Sequence, residues 1–525
     1  MIDGIWRFVD VRFARRPTQS GSYEIDSHFF LTHPVQFIYT HYPDDTKWQQ
    51  LHPQITEEEF CNMPIMTPHF FLLGMDLLSH KCAKIYSSDQ VYIALKYPRD
   101  KTYNFTFSLQ EFCENDEYQG IKFNRYAMLE AAEGMVTFRL RLPKIGTYDL
   151  KVYAKEDVSD KKENLFAEIC EYIVTQEALS KSTHRPYPPC AYQSWGVQSA
   201  FYKFGLTTNQ QSAIIDTING EAKIEISSPK PMQFRTRFLH HENSTEFEGY
   251  VTHKTINGEN VFNVTAPFKG EFGLEIYAKD PDTDTKKMRH VAQFLICCIE
   301  DVQTLQLPKL PSGFLGPQPM LVRYDITAFS HPDPVIHIDD NKIEIIFKTL
   351  EGMRFTASLS EAETNHDCSD NVFIQSDDTE VKLLVSLPRT GFFVLCVHGN
   401  PFTDNSHQIP GLYNYLIHCK AIAEEVTPYP KQFGYWKEGC YMWKPMHIKS
   451  GLNGEFVPFA VRVPRATTVA VVVNKDWTPL ELNEESGIWE GSVQINCTEV
   501  NNKVVLVASY GDDQLRFATL LEYTL

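Results

Sequence analysis

A group of three sequence elements repeats along this chain, and the repeat constrains the fold more than any other feature. A glycine follows a proline-containing approach and precedes an alternating apolar run at Gly146, Gly270 and Gly391. A second apolar run follows each glycine, as EICEYIVT (168–175), VAQFLICCI (291–299) and LYNYLIHC (412–419). The third element is a proline-rich opening, seen in PYPPCAYQSWG (186–196) and PYPKQFGYWKEG (428–439). A period of about 120 residues marks repeated domains and is too long for a solenoid.

The alternation of apolar and polar residues within the repeats predicts β-sandwiches. From about residue 81, short alternating runs rich in Val, Ile, Tyr, Phe and Thr are separated by turn residues. KVVLVASYGDD, from Lys503, is a weaker fourth copy without the glycine. We therefore expect a mainly β chain with four sandwiches, at 81–183, 184–303, 304–425 and 426–525. Gly146, Gly270 and Gly391 are expected in equivalent turns before an inner strand, where glycine permits a positive φ.

The first 80 residues differ from the rest. Thr32-His33-Pro34 predicts a cap and an early proline at the start of a short helix. Thr56 and Glu59 form a capping-box pattern, and Pro64 ends the helix that follows it. We therefore expect residues 1–80 to form a separate layer that contains most of the helix in the chain.

Composition excludes several functions. The net charge is −18, with 67 acidic and 49 basic residues. Binding to nucleic acids and binding to anionic membrane surfaces both require clustered basic residues. No run approaches the ~20 apolar residues of a membrane span, and the N-terminal residues do not resemble a signal peptide. We expect a soluble cytoplasmic protein without membrane insertion. Its 12 cysteines are expected to be reduced and free of disulfides.

The candidate metal sites are weak. Asp280-x-Asp282-x-Asp284 resembles a calcium loop, but Thr285 and Val291 replace the glycine and glutamate that such a loop needs. No spacing completes a tetrahedral ligand set around three other groups, which are His240-His241-Glu242, Cys396 with His398, and His418 with Cys419. The acidic run from Glu361 to Glu380 predicts a solvated loop. We therefore expect no metal and no cofactor.

Three N-terminal stretches carry a resemblance to a known family. DGIWRFVDVRF (3–13), HFFLTHPVQFIYTHYPDDTKWQQL (28–51) and QITEEEFCNMP (54–64) resemble the kyphoscoliosis peptidase (hillarin-like) family. The resemblance implies a transglutaminase-like α+β core followed by immunoglobulin-like domains. Residues 1–80 would then be the C-terminal remnant of that core, and the four sandwiches would be immunoglobulin-like. It also implies association with the cytoskeleton.

The resemblance carries over one site residue, Asp10, by its place in WRFVD. In the family this acid is the third member of a Cys-His-Asp triad. The segments bearing the Cys and the His are expected upstream of Met1 and have no counterpart in this chain. Phe13-Ala14-Arg15 also stands where the family more often has a Trp and a Gly. Because such an acid acts only through the His it orients, we expect Asp10 to be an inactive, orphan member.

Three functions compete at this point. The leading hypothesis is a non-enzymatic, cytoskeleton-associated scaffold, since tandem sandwiches offer faces and edge strands to cytoskeletal or other protein partners. The alternative is the C-terminal part of a transglutaminase-like cysteine peptidase whose Cys and His lie upstream. A weaker third possibility is an extracellular adhesion protein. The sequence defines neither the partner nor the oligomeric state.

Overall fold

The computed structural model describes the greater part of the chain. The described residues are 4, 6–17, 23–112, 116–157, 165–179, 184–230, 232–242, 246–247, 249–256, 259–280, 287–302, 307–308, 315–326, 328–348, 352–377, 379–404, 408–449, 452–496, 503–511 and 516–525. Within these ranges no helix is long and apolar enough to cross a lipid bilayer.

The N-terminal part contains short strands and helices. Strand β1 pairs with β4, and β2 pairs with β3, both antiparallel. The predicted capping box is present, because the Thr56 side chain accepts from Glu59 N–H and the Glu59 side chain accepts from Thr56 N–H. The elements are β1 (Phe8–Val9), β2 (Arg15–Pro17), β3 (Tyr23–Ile25), β4 (Phe30–Thr32), α1 (Pro34–Phe37), α2 (Glu57–Cys61), β5 (Ile65–Met66), α3 (Pro68–Leu72) and β6 (Asp76–Leu77), with 3₁₀ helices at Ser27–Phe29 and Thr46–Gln49.

The first sandwich packs two sheets around a core of aromatic and aliphatic side chains. Its strands are β7 (Lys84–Ser87), β8 (Val91–Lys96), β9 (Tyr103–Glu111), β10 (Glu117–Tyr118), β11 (Ile121–Lys122), β12 (Ala127–Ala132), β13 (Met135–Leu140), β14 (Gly146–Glu156) and β15 (Ala167–Gln176), with a 3₁₀ helix at Phe123–Tyr126. One sheet has the order β5-β15-β14-β9, with β7 parallel to β15, and the other contains β12-β13-β8-β6. Alternate residues of β9 are buried, as expected for a strand with one face on a core.

The second sandwich repeats this plan. Its elements are β16 (Ser194–Val197), α4 (Ser199–Lys203), β17 (Thr207–Thr208), β18 (Ile214–Asp216), β19 (Glu221–Ser227), β20 (Gln233–His240), β21 (Val251–Ile256), β22 (Glu259–Thr265), β23 (Gly270–Lys279) and β24 (Arg289–Cys298). One sheet contains β20-β23-β24-β16, with β18 parallel to β24, and the other has the order β17-β19-β22-β21.

The third sandwich follows the same order of elements. They are β25 (Gly316–Pro317), α5 (Pro319–Arg323), β26 (Ala328–Phe329), β27 (Val335–Ile338), β28 (Lys342–Lys348), β29 (Met353–Glu361), β30 (Val372–Ser376), β31 (Glu380–Ser386), β32 (Gly391–Pro401) and β33 (Gly411–Cys419), with a 3₁₀ helix at Ser369–Asn371. One sheet has the order β25-β33-β32-β29, with β27 parallel to β33, and the other has the order β26-β28-β31-β30.

The fourth sandwich has its own arrangement. Its strands are β34 (Lys431–Gln432), β35 (Tyr441–Lys444), β36 (Asn453–Arg462), β37 (Thr468–Val473), β38 (Asp476–Pro479), β39 (Glu481–Asn483), β40 (Ile488–Asn496), β41 (Lys503–Ser509) and β42 (Ala518–Thr524), with a 3₁₀ helix at Gly434–Lys437. The two sheets have the orders β34-β42-β41-β37-β38 and β35-β36-β40-β39.

The three repeat glycines occupy equivalent places. Gly146, Gly270 and Gly391 each begin a long strand, and each faces the last residue of the next long strand. A break in strand register also recurs at the same distance from each glycine, after Val152, Ile276 and Val397. The predicted equivalence is thus confirmed. The predicted positive φ is clear at Gly391, with φ 128°. Gly146 is nearly extended at 159°, and the prediction is wrong at Gly270, which is not among the positive-φ glycines.

The first sandwich draws on residues that the sequence assigned to the 1–80 layer. Strand β5 pairs with β15, and β6 pairs with β8. Helix α3 lies between them, as α4 follows β16 and α5 follows β25 in the later repeats. Residues 65–77 therefore belong structurally to the first sandwich, because their backbone groups complete its sheets. The domain limits given above stay a prediction in other respects.

The first two sandwiches share one continuous sheet. Strand β16 pairs in parallel with β12 of the first sandwich, where Glu130 faces Trp195. The same strand pairs antiparallel with β24 of the second sandwich, where Gly196 faces Gln293. The resulting sheet runs β20-β23-β24-β16-β12-β13-β8-β6. Backbone hydrogen bonds thus connect the two sandwiches directly and set their relative orientation.

The later junctions are packed as well. Lys254 of the second sandwich forms an ion pair with Asp333 of the third, at an Nζ–Oδ1 distance of 2.5 Å. Phe373 of the third sandwich belongs to the buried core of the fourth. Next to it, the Trp436 indole N–H donates to the Ile374 carbonyl at 2.8 Å. Each described junction therefore contains side-chain contacts in addition to the covalent link.

Candidate functional site

Asp10 lies at the end of β1 in a turn that its own side chain closes. Its Oδ1 atom accepts hydrogen bonds from the backbone N–H groups of Arg12, at 2.8 Å, and Phe13, at 3.0 Å. The Asp10 backbone N–H donates to the Phe29 carbonyl at 3.0 Å, which connects the turn to the 3₁₀ helix that precedes β4. This pattern is the local one by which aspartate side chains stabilise turns. It leaves the second carboxylate oxygen, Oδ2, directed away from the turn.

Oδ2 of Asp10 contacts a histidine. His41 Nε2 lies 2.7 Å from this oxygen. The His41 side chain is 27% exposed and the Asp10 side chain is 17% exposed. The other ring nitrogen, Nδ1, lies 2.7 Å from the Thr40 hydroxyl oxygen. With the proton on Nε2, the imidazole donates to the carboxylate and accepts from Thr40. The result is a hydrogen-bonded chain of hydroxyl, imidazole and carboxylate.

Aromatic rings fix the orientation of His41. Phe37, on helix α1, stacks on the imidazole with ring centroids 4.0 Å apart and planes 12° apart. The spacing of four residues places the two side chains on one face of the helical turn. Phe13 and Phe29 present their edges to the same imidazole, at 6.0 and 6.2 Å. The sequence folds this way locally because His33 caps α1 and Pro34 occupies its first turn.

The carboxylate is held in its charged form. Partial burial of Asp10 works to raise its pKa, but the hydrogen bonds from Phe13 N–H, His41 and Arg12 N–H act in the opposite direction and prevail. The pKa of Asp10 therefore lies below its ordinary value. A charged acceptor beside an imidazole is what a triad acid requires, and it is equally what a structural ion pair requires.

A cavity of about 240 Å³ opens beside His41. It is lined by Phe8, Pro34, Phe37, Ile38, His41, Tyr42, Pro43, Trp48 and Gln49. The lining is mostly apolar and aromatic, and it contains no cysteine. The site can therefore orient an imidazole and accommodate an apolar group, but its described lining supplies no thiol nucleophile.

The structure corrects one expectation for Asp10. The sequence predicts that Asp10 has no His partner in this chain, and that is wrong, because His41 occupies its free oxygen. His41 follows Asp10 along the chain, whereas the triad His was expected upstream of it. The prediction that Asp10 is catalytically inactive is not tested by this geometry and stays a prediction. Sequence reasoning missed His41 because the chain has 18 histidines and no spacing rule selects this one.

The other predicted sites separate into three groups. His240 and His241 are buried, and His241 lies 3.4 Å from Glu242. Residues 281–286 of the calcium-like loop lie outside the described residues. In the acidic run, Glu361 is buried and forms an ion pair with Arg389, so this part of the run is not the solvated face that the sequence predicts. Across the described ranges, no group of three or more His, Cys, Asp or Glu side chains is arranged to hold a metal ion.

The described cysteines carry thiols and no disulfide, and Cys113 and Cys497 lie outside the described residues. Burial raises the pKa of the Cys170 and Cys190 thiols, and it raises that of Cys440 to about 12. A raised pKa keeps a thiol protonated and weakly nucleophilic. These three side chains thus act as small apolar groups in their cores.

Fold and site together define a class: a mainly β protein built of tandem immunoglobulin-like sandwiches behind a short N-terminal α+β segment. The family is more specific. The model of the KY-like, immunoglobulin-like domain matches residues 57–188, 193–309 and 313–430, which together make up more than half of the chain. The chain belongs to this family, and the resemblance to kyphoscoliosis peptidase and hillarin is confirmed.

Three curated relatives show the extent of the similarity. Hillarin of Drosophila melanogaster is 28% identical over 306 residues, which is 53% of this chain and 37% of hillarin. Lim and transglutaminase domain protein ltd-1 of Caenorhabditis elegans is 26% identical over 56% of this chain and 44% of that protein. Kyphoscoliosis peptidase of Homo sapiens is 29% identical over 58% and 45%. The aligned part of this chain thus spans less than half the length of each relative.

Proposed function

We propose that this protein is a non-enzymatic scaffold that binds protein partners in the cytoplasm and associates with the cytoskeleton. The observation that supports it best is the continuous sheet through β16, which joins two sandwiches by backbone pairing. Flexible linkers would let the binding faces of neighbouring domains move independently, whereas a shared sheet keeps them at a constant spacing. Constant spacing is useful to a protein that arranges partners along a filament.

The later junctions support the same proposal. Their contacts include the Lys254–Asp333 ion pair and the burial of Phe373 in the fourth core. A cysteine peptidase needs a thiol beside its base, and the described lining of the His41 cavity contains no cysteine. A scaffold needs only accessible surfaces, which immunoglobulin-like sandwiches offer on their faces and edge strands.

The alternative is that these residues are the C-terminal part of a transglutaminase-like cysteine peptidase whose Cys and His lie upstream. It is supported by the names of two relatives, one a peptidase and one a transglutaminase domain protein, and by their greater length. In that arrangement an upstream His would have to take the place of His41 at the Asp10 carboxylate.

One experiment separates the two proposals. The chain and its Asp10→Ala variant are assayed for amine incorporation and peptide hydrolysis, and for co-sedimentation with actin filaments and with microtubules. The scaffold proposal expects background catalysis from both proteins and equal filament binding by both. Asp45→Ala is the matched control, since Asp45 caps a helix in the same segment.

Activity above background that disappears in Asp10→Ala and persists in Asp45→Ala would overturn the scaffold proposal. Failure to sediment with either filament, with catalysis at background, would overturn the cytoskeletal part of it.

A further inference from the structure

Two histidines face each other on the third sandwich. His337 lies on β27 and His418 on β33, and the parallel pairing sets them directly opposite each other. Their Nδ1 atoms are 3.1 Å apart. The rings meet edge to face, with centroids 5.3 Å apart and planes 82° apart. Two imidazole nitrogens therefore converge on one point of the sheet surface.

The separation matches the geometry of a metal ion held by two imidazoles. Zinc binds imidazole nitrogen at about 2.0–2.1 Å. At that bond length, two nitrogens 3.1 Å apart subtend about 100° at the ion, between the cis-octahedral and tetrahedral angles. Imidazole nitrogen also suits copper and nickel. The pair could otherwise make a single N–H···N hydrogen bond, for which one ring donates and the other accepts.

The surroundings orient one ring and leave the other accessible. Phe392, on the neighbouring strand β32, stacks on His418 with centroids 4.3 Å and planes 13° apart. His337 is exposed, so water can reach the remaining positions of a bound ion. Just beyond the ends of these two strands, Lys420 forms an ion pair with Asp339 at an Nζ–Oδ1 distance of 3.1 Å. Since the described residues contain no cluster of three ligands, water would complete the coordination.

From this geometry we propose that His337 and His418 form a surface site for one divalent transition-metal ion, with zinc as the representative. The bound ion connects β27 to β33 across their parallel pairing. Strand β27 is only four residues long and pairs with β33, so a ligand shared with β33 stabilises this part of the sheet. The sequence places His418 beside Cys419 but gives no sign of its pairing with His337, which lies 81 residues away.

The test is calorimetric titration of Zn²⁺ into the full chain without an affinity tag, under reducing conditions. The proposal expects about one equivalent to bind, and expects at least a tenfold weaker affinity in His337→Ala and in His418→Phe. The phenylalanine keeps an aromatic ring against Phe392, which guards against loss of fold. His366→Ala is the matched control, because His366 is an exposed histidine of the same sandwich, and it should bind as the wild type does.

Spectroscopy identifies the ligands independently. With Co²⁺ in place of Zn²⁺, imidazole ligation lacks the intense near-ultraviolet band that thiolate ligation produces, so binding by the exposed Cys61 or Cys82 would be recognised. Circular dichroism establishes that each variant is folded. The proposal is overturned if the wild type binds no ion, if the two histidine variants bind as tightly as His366→Ala, or if the thiolate band accompanies the binding.

Discussion

At the scale of single residues, Asp10 shows how one carboxylate serves two partners. Oδ1 of Asp10 closes a turn by accepting from two backbone N–H groups, and Oδ2 contacts the imidazole of His41, which lies 31 residues later in the chain. The pair thereby connects the turn after β1 to the segment that follows α1. In this chain Asp10 therefore holds two segments of the N-terminal part together, and this structural role does not depend on catalysis.

Removing the Asp10 charge should loosen the N-terminal segment. In Asp10→Asn the size of the side chain is kept, while the charge-assisted hydrogen bond to His41 is weakened. Hydrogen bonds to charged groups contribute about 1.5–3 kcal/mol, and partial exposure reduces this to about 1 kcal/mol here. Hydrogen exchange of the amides of residues 10–41 measures the effect. Asp45→Asn, a change of the same kind at a helix cap, should leave that exchange unaltered, and equal exchange in all three proteins would contradict the assignment.

The same pair should make this segment sensitive to acid. The pKa of Asp10 is lower in the folded protein than its ordinary value. Its contribution to stability is thus complete above the ordinary aspartate pKa of about 3.9 and is lost as the pH falls through the folded value. The difference in proteolytic susceptibility between wild type and Asp10→Asn should accordingly shrink as the pH falls below about 4. A difference that stays constant over this range would mean that the carboxylate charge does not stabilise the segment.

At the scale of elements, the repeat units share features of the backbone as well as of the sequence. The glycine at the start of the long strand and the register break after its seventh residue recur in all three family-matched units. Yet the glycines differ in conformation. Gly391 has φ 128° and open space around the position of a Cβ atom, whereas at Gly270 a Cβ would lie 3.0 Å from His240 Nε2.

Gly391→Ala should therefore destabilise the third sandwich through its backbone alone. A φ in this region is rarely adopted by other residues, and we expect a loss of about 1–2 kcal/mol in the free energy of unfolding. Urea denaturation measures it. The control is Gly434→Ala, where no atom lies within 4 Å of the added carbon and no positive φ occurs. That change should stay within about 0.5 kcal/mol, and equal effects at both sites would contradict the backbone explanation.

The sequence predicts elements of this kind well when the signal is local. The Thr56 capping box lies within four residues, and the repeat glycines precede alternating runs, so both could be recognised from spacing. Strand β16 could not. It has four residues, and its partners Leu129, Glu130, Ala292 and Gln293 lie about 65–100 residues away on either side. Similarly, β5 pairs with a strand more than 100 residues later, so the sequence alone does not show that residues 65–77 complete the sheets of the first sandwich.

At the scale of the whole molecule, the junctions decide how the sandwiches behave together. Trp195 is 2% exposed and packs with Met128, Tyr187, Ala213 and Leu295, a cluster drawn from both sides of the first junction. The predicted tandem of immunoglobulin-like sandwiches is confirmed. The sequence did not indicate that the first two share a sheet, because composition and periodicity describe one unit at a time.

Trp195→Ala should uncouple the first two sandwiches. Truncation of a fully buried Trp costs about 3–5 kcal/mol, and here the loss falls on the contact between units. Denaturation followed by fluorescence and by circular dichroism should separate into distinct transitions in the variant. In the wild type we expect the two sandwiches to unfold together. Trp477→Ala, at a tryptophan 52% exposed in the fourth sandwich, should change the free energy of unfolding by less than about 1 kcal/mol. Coincident transitions in Trp195→Ala would show that the shared sheet alone couples the units.

Strand β16 also determines how the molecule would respond to a pulling force. Domains joined by flexible linkers lengthen first by straightening of the linkers, and that initial extension meets only entropic resistance. In the first two sandwiches, the pairing of β16 with both β12 and β24 holds the units together independently of the connecting segment between β15 and β16. Tension applied across this pair therefore loads backbone hydrogen bonds from the start, and the pair lengthens only when a sheet ruptures.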